Sequence, residues 1–177
     1  MGGRGSSSGM GSRNLRNAEN RIRNNSVETA VLIGPNGDIL LDKSNGMEAS
    51  VNFTFKETAL MKNGVLTHNH PSGTTFSEAD IDLAFTYGVK EIRVVHANGS
   101  YSLTRQYNTG DDIPFRYEDF AHNYEFAVKQ YMRSTVDAIY NKTGDADRCN
   151  GMVADYRRQW LTQNASNYGW KYKEGQK

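Results

Sequence analysis

The segment Leu66–Asp82, with the sequence LTHNHPSGTTFSEADID, contains the residues best suited to chemistry. His68 and His70 lie two positions apart in a stretch that predicts a β-strand, so their imidazoles point to the same face. Pro71 ends this strand, and Asp80 follows at the start of a predicted helix. Two imidazoles and one carboxylate form the three-ligand set with an open fourth position that catalytic zinc uses. The pattern therefore predicts a metal centre at His68, His70 and Asp80.

A hydrolytic zinc centre also needs a carboxylate that takes a proton from water and delivers it to the leaving group. Glu28 is the candidate, because it directly precedes the apolar strand pattern TAVLIG and would share one end of the sheet with the histidines if the two strands are neighbours. The competing carboxylates are Glu48, Glu57 and Glu78. Ser77 is a candidate hydrogen-bond donor to a developing oxyanion. Ser77-x-x-Asp80 also matches a helix N-cap box, and the two roles are compatible.

The chain places a glutamate before an H-x-H-P motif and an S-x-x-D motif, an order that resembles the JAMM (MPN-type, JAB-domain) zinc metalloproteases. The string HNHPSG is also similar to the RadC-like branch of the same fold. The resemblance implies that His68, His70 and Asp80 are the ligands of Zn²⁺. It further implies that Glu28 is the general base that activates water and that Ser77 helps to hold the oxyanion.

The resemblance implies a zinc-dependent hydrolase that cleaves a peptide or isopeptide bond in a protein or peptide substrate. It covers about residues 12–105, and six residues separate His70 from Ser77, one fewer than is usual in the family. Two alternatives stay open: a non-catalytic MPN-type module that binds partners, and a RadC-like role near DNA. The Gly/Ser-rich N-terminus and compact length also resemble accessory modules of phage head-morphogenesis proteins. A net charge of +1 without a basic block disfavours a nucleic-acid partner.

The pattern of apolar residues and turn signals predicts an α/β fold. Strands are predicted at residues 29–34, 39–42, 51–55, 65–70, 91–97 and 100–105, and helices at 12–25, 55–61, 77–87, about 120–139 and 146–165. With the resemblance, these elements imply a curled mixed β-sheet of about six strands flanked by helices, in a JAB/MPN-like, cytidine-deaminase-like layering. A C-terminal helical hairpin follows, because a short break at 141–144 separates two helical patterns.

Composition divides the chain into three predicted parts. Residues 1–11 are rich in glycine and serine and are expected to be disordered, whereas residues 12–111 form the predicted catalytic domain. Residues 112–177 form a predicted C-terminal helical extension, through which a protein partner would bind. The first helix of this extension is expected to cover the sheet, and the tail from Tyr168 onward, where helical spacing breaks down, is expected to be the partner contact.

The composition predicts a cytoplasmic protein. No apolar run approaches the ~20 residues that a membrane span needs, and the N-terminus lacks the hydrophobic segment typical of a secretory signal. Cys149 is the one cysteine of the chain, so neither an intrachain disulfide framework nor a cysteine-based zinc site is expected.

Overall fold

The computed structural model describes residues 7–47, 50–108 and 117–176 of the chain. Within them the strands are β1 (Thr29–Ile33), β2 (Ile39–Ser44), β3 (Val65–Asn69), β4 (Glu91–His96), β5 (Gly99–Arg105) and β6 (Trp170–Gln176). The helices are α1 (Ser7–Ile22), α2 (Phe55–Thr58), α3 (Glu78–Thr86), α4 (Tyr117–Tyr131), α5 (Asp137–Thr143) and α6 (Ala146–Asn164). A π-helical turn (Met132–Val136) joins α4 to α5, and a 3-10 turn (Ala165–Tyr168) follows α6. None of these helices is long and apolar enough to cross a membrane.

The described strands form one mixed sheet in the order β2-β1-β3-β4-β5-β6. Neighbouring strands are antiparallel except for β3 and β4, which are parallel and are connected through α3. Because β1 runs antiparallel to β3, with Ala30 opposite His68, the start of β1 and the end of β3 lie at the same end of the sheet. The predicted α/β class with a mixed six-stranded sheet is confirmed.

Side chains alternate between the two faces of the sheet, and the helices cover these faces unequally. The face that carries His68, here called the site face, packs against α3, α4 and α6 in the larger core. Its core residues from the sheet are Ala30, Leu32, Leu66, Ile92, Val94, Tyr101, Leu103 and Trp170. The opposite face buries a smaller core under Ala18 and Ile22 of α1. The site therefore belongs to the more heavily covered side of the sheet.

The predicted C-terminal helical hairpin is present. Contacts progress in opposite directions along its two arms: Tyr124 with Trp160, Tyr131 with Tyr156, and Val136 with Cys149. Phe120, Tyr124 and Val128 of α4 are at most 1% exposed and belong to the larger core. The first helix of the extension therefore belongs to the core, where it packs against α3 and α6, as the spacing of its aromatic residues predicts.

The tail beyond Tyr168 is the main departure from the sequence prediction. It forms β6, which pairs with β5 in register from Arg105 opposite Trp170 to Gly99 opposite Gln176. Trp170 is 1% exposed, whereas Lys171 is exposed. The sequence W-K-Y-K has the period of a half-buried strand, which a search for helical spacing overlooks. The tail is therefore a strand of the sheet rather than a segment outside the core, and a partner contact through it stays a prediction.

Two further predictions differ from the structure. Residues 51–55 have no sheet neighbour in the described part of the chain, although Val51 and Phe53 pack against the core as their alternation predicts. Residues 7–11 are helical rather than disordered, because a helix docked through Ala18 and Ile22 gains one hydrogen bond for each residue added to it. Residues 1–6 and the predicted boundary between 111 and 112 lie outside the described residues.

Replacing Trp170 with alanine tests the role of β6. We expect Trp170→Ala to lower the free energy of unfolding by about 3–5 kcal/mol, because it empties a fully buried site in the core. Urea denaturation followed by circular dichroism measures this change. Lys171→Ala, on the exposed side of the same strand, is the control and should stay within about 0.5 kcal/mol of the parent. Equal effects of the two substitutions would contradict a core role for the tail.

Candidate metal centre

The predicted ionisable residues converge at one end of the sheet, where β3 ends and α3 begins. His68 Nε2 lies 3.1 Å from His70 Nε2 and 3.1 Å from Asp80 Oδ1. Glu28 Oε1 lies 3.8 Å from His68 Nε2 and 4.0 Å from His70 Nε2. Glu28, His68 and His70 alone offer three ligand atoms within 4.8 Å of one another, a buried cluster that could hold a metal ion.

Asn69, between the two histidines, ties their strand to the corner that carries Glu28. Its Oδ1 accepts a hydrogen bond from the backbone N–H of Thr29 at 2.8 Å. Its Nδ2 donates to the backbone carbonyls of Asn25 and Val27, at 3.1 Å each. The Asn69 side chain is 0% exposed, so water does not compete for these bonds. Because side chains alternate along a strand, His68 and His70 point to the site face. The Asn69 side chain points to the other face, where it binds the backbone that positions Glu28.

Ser77 caps α3 and orients Asp80. The hydroxyl and the backbone N–H of Ser77 both donate to Asp80 Oδ2, at 2.8 Å and 2.7 Å, and the Asp80 N–H donates back to Ser77 Oγ at 3.2 Å. This reciprocal pattern is a capping box, and it leaves Asp80 Oδ1 facing His68. The N-cap interpretation of Ser77 is confirmed. Its predicted oxyanion role requires the hydroxyl proton to leave Asp80 and stays a prediction.

The loop of six residues between His70 and Ser77 closes tightly around His70. Gly73, with φ of 73°, donates its N–H to the His70 carbonyl at 3.0 Å. The carbonyl of Thr74 then accepts a hydrogen bond from His70 Nδ1 at 2.9 Å. The short spacing is therefore accommodated by a left-handed glycine turn, and the loop itself orients the second imidazole.

Backbone partners determine which nitrogen of each imidazole faces the cluster. His70 donates from Nδ1 to Thr74, and the ring of His68 is hydrogen-bonded to the backbone of Arg93. A neutral imidazole that donates from Nδ1 carries its lone pair on Nε2. Two Nε2 atoms face each other at 3.1 Å, near the distance of about 3.3 Å between two nitrogens bound tetrahedrally at about 2.05 Å from zinc. The donor set fits zinc, and backbone contacts of this kind orient metal-binding histidines.

The pKa values of the two carboxylates shift in opposite directions. Burial raises the pKa of Glu28, and the neighbouring charge of Asp80 adds to this, against a smaller lowering by His68. Burial also opposes ionisation of Asp80, but the charges of His68 and His70 with hydrogen bonds from His68 and Ser77 outweigh it, so the Asp80 pKa is lowered. Carboxylates with diverging pKa values in one site are suited to different roles, one as proton carrier and one as permanent anion.

The two imidazoles also differ. Burial lowers the pKa of His70 to about 4, and the neighbouring His68 adds to the effect. Burial acts to lower the pKa of His68 as well, but the charges of Asp80 and Glu28 and its hydrogen bonds outweigh it and raise the value above 6.5. Of the two rings, His68 therefore holds a proton more readily near neutral pH.

The other candidate glutamates are differently placed. Glu57 accepts hydrogen bonds from Lys43 Nζ at 3.0 Å and 2.8 Å and from the Thr54 N–H at 2.7 Å, which lower its pKa to about 2. Glu78 borders a hollow on the outer side of α4. Glu48 lies outside the described residues. Glu28 is thus the one of these candidates, among the described residues, whose carboxylate faces the histidines.

A cavity of about 330 Å³ adjoins the cluster, and sequence reasoning did not anticipate it. Its lining includes the ionisable residues of the cluster and Ser77, a group of apolar side chains from the sheet, α3 and residues 51–53, and the neutral polar residues Ser50, Asn52, Ser72 and Thr74. The role of Asn69 was also missed. The available signal was its residue type, because a buried polar side chain in a strand requires hydrogen-bond partners.

Comparison of the chain with protein-family models, with curated proteins and with solved structures finds no match. The function is therefore inferred from the donor set and geometry of the site, together with the motif resemblance.

Replacing Asn69 with alanine tests the link between the two halves of the cluster. We expect Asn69→Ala to lower the free energy of unfolding by about 1–3 kcal/mol, because it leaves the Thr29 N–H and two backbone carbonyls without their buried partner. Chemical denaturation measures the loss. Asn24→Ala, an exposed position on the preceding segment, should change stability by less than about 0.5 kcal/mol. A stability equal to that of Asn24→Ala would show that the link is dispensable.

Proposed function

We propose that this chain is a zinc-dependent hydrolase that cleaves a peptide or isopeptide bond in a protein or peptide substrate. The observation that carries the proposal is the approach of His68 Nε2 and His70 Nε2 to 3.1 Å beside the carboxylates of Glu28 and Asp80. When both rings are neutral, their lone pairs face each other without a proton, and a cation satisfies both. The resemblance of the motifs to JAMM metalloproteases supports the same chemistry.

In this proposal His68, His70 and Asp80 hold the ion. Asp80 is the preferred third ligand, because its Oδ1 lies 3.1 Å from His68 Nε2, whereas Glu28 Oε1 lies 3.8 Å away. Zinc bound there would supply a Lewis acid that polarises the scissile carbonyl and lowers the pKa of water. Two histidines and one carboxylate match the number and type of protein ligands in catalytic zinc sites.

Glu28 carries the proton in the proposed reaction. Its raised pKa moves the carboxylate toward the neutral range, in which a base can accept a proton from the attacking water and return it to the leaving amine. Its backbone is held from both sides, since the Glu28 N–H donates to the Met47 carbonyl and Ser44 Oγ donates to the Glu28 carbonyl, each at 2.8 Å. The backbone that carries this carboxylate is thereby held beside the histidines, which favours general base catalysis.

The raised pKa of His68 predicts how zinc binding depends on pH. Protonated His68 cannot bind a cation, so below its raised pKa each pH unit of acidification should weaken the affinity by about tenfold. His70, with a pKa lowered to about 4, should not compete until the solution is much more acidic. Titration calorimetry in buffers of different ionisation enthalpy should find about one zinc per chain and about one proton released near pH 6. An affinity that does not change between about pH 5 and pH 8 would contradict this assignment.

Substituting Glu28 with glutamine separates metal binding from catalysis. Glu28→Gln preserves the shape of the side chain but removes the proton acceptor, so we expect zinc to be retained and hydrolysis to fall ~10²-fold or more. The assay incubates the zinc-loaded protein with libraries of linear and lysine-linked isopeptides and counts new amines by mass spectrometry.

The matched control is Glu57→Gln, which removes a carboxylate bound to Lys43 and should leave the rate unchanged. Full activity in Glu28→Gln would show that another group is the base. A parent protein that binds zinc stoichiometrically but releases no amine from either library would instead favour a partner-binding module without catalysis.

A further inference from the structure

The cavity beside the metal centre has two chemically different ends. The apolar end is formed by Ala30, Leu66 and Ile92 on the sheet, Leu83 on α3, and Val51 and Phe53 on the segment before α2. This end adjoins the histidines, because Leu66 precedes His68 by two residues on one strand face, a rise of about 6.6 Å. Ala30 is the residue of β1 directly opposite His68. A group bound at the histidines therefore has apolar surface within the length of one side chain.

The burial of the lining residues indicates what this end accepts. The floor residues Ala30, Leu66 and Ile92 are at most 2% exposed. The walls provided by Val51, Phe53 and Leu83 are only half-buried. An apolar group inserted between the walls removes their remaining surface from water.

The positions of the charged residues exclude a charged occupant from the apolar end. The ionisable lining residues are Glu28, His68, His70 and Asp80, all at the site end. A charged group beside the apolar side chains would lose hydration and would meet no opposite charge there, only the neutral polar side chains of Ser50 and Asn52.

Ala30 controls the depth of the apolar end. Among the buried residues of β1, it is the smallest, and it shares the site face with Leu32. A longer side chain at this position would extend into the cavity beside His68. The cavity volume of about 330 Å³ is at the small end of the range for ligand sites, which suits one side chain better than a large group.

We propose that the apolar end of the cavity, here called the apolar pocket, binds a bulky aliphatic or aromatic side chain of the substrate residue next to the scissile bond. The position of the scissile bond rests on the proposed function. Occupation of the pocket needs neither zinc nor turnover. The substrate class is thus a protein or peptide with leucine, methionine or phenylalanine beside the cleaved amide, rather than glycine or an acidic residue.

Methyl NMR on the full chain tests the pocket without catalysis. The protein, labelled at isoleucine, leucine and valine methyl groups and kept in chelator, is titrated with N-acetyl-leucinamide. We expect saturable shifts at Leu66, Leu83 and Ile92, and none with the glycine or aspartate analogues of the probe. Equal shifts with the aspartate probe, shifts confined to methyl groups elsewhere, or no saturable shift would each overturn the proposal.

Two variants alter the pocket from different sides. Ala30→Val makes the floor shallower and should weaken binding of the leucine probe by about tenfold. Phe53→Ala removes a wall on a segment outside the sheet and should also weaken binding of the leucine probe. Ala138→Val, at an exposed position of α5, is the control and should bind as the parent does. Parent-like binding by both pocket variants would overturn the proposal.

Cleavage of peptide libraries by the zinc-loaded protein provides the second arm. We expect bulky apolar residues to exceed glycine and aspartate by about tenfold or more at one position flanking the cut. The Ala30→Val variant should shift this preference toward alanine. Cleavage without any such preference would contradict the proposed role of the apolar pocket but would leave the proposed hydrolase activity supported. Leucine-selective methyl shifts without cleavage would contradict the proposed hydrolase activity and would support the apolar pocket as a binding site.

Discussion

The buried amide of Asn69 is the constraint on which the rest of the site depends. The two parts of the cluster come from distant segments: the histidines from β3, and Glu28 from the corner before β1. Sheet pairing aligns Ala30 with His68, but Glu28 lies before the first residue of β1 and outside its ladder. Asn69 replaces the ladder there, because its side chain donates to the carbonyls of Asn25 and Val27 and accepts a hydrogen bond from the Thr29 N–H. Because the strand period is two, the same stretch supplies both imidazoles to one face and this clamp to the other.

Neighbouring charges and hydrogen bonds, acting against burial, differentiate the two carboxylates of the cluster. Glu28 and Asp80 are both carboxylates near His68, yet only Asp80 also receives two hydrogen bonds from Ser77. The charges of His68 and His70 and the hydrogen bond with His68, with a smaller contribution from the Ser77 backbone, keep the pKa of Asp80 low against burial, whereas burial dominates for Glu28 and raises its pKa. The capping box that begins α3 therefore contributes to keeping Asp80 ionised. The opposite pKa shifts of the two acids follow from their surroundings rather than from the residue types themselves.

The sequence predicted the site better than the elements around it. His68, His70 and Asp80 could be grouped because strand period and helix capping act over a few residues. β6 was missed because W-K-Y-K comes soon after a long predicted helix. Four residues of alternating apolar and polar type are a weak indication of a strand at such a position. Residues 51–55 carry the same alternation but no sheet neighbour among the described residues, since alternation reports a buried face and not a hydrogen-bonded partner. The cavity could not be predicted, because it is formed by side chains of β1, β3, β4, α3 and an irregular segment together.

The C-terminal helices belong to the structure that positions the residues of the cluster, although the motif resemblance ends before them. The hydroxyl of Tyr124 on α4 donates to the carbonyl of Phe76 at 2.6 Å, and burial raises the pKa of this hydroxyl, so it remains a donor at neutral pH. Phe76 is fully buried and directly precedes Ser77, the residue that orients Asp80. The loop after His70 is thus held at one end by β3 and at the other by α4. A chain of contacts therefore runs from the C-terminal hairpin through this loop to the carboxylate facing His68.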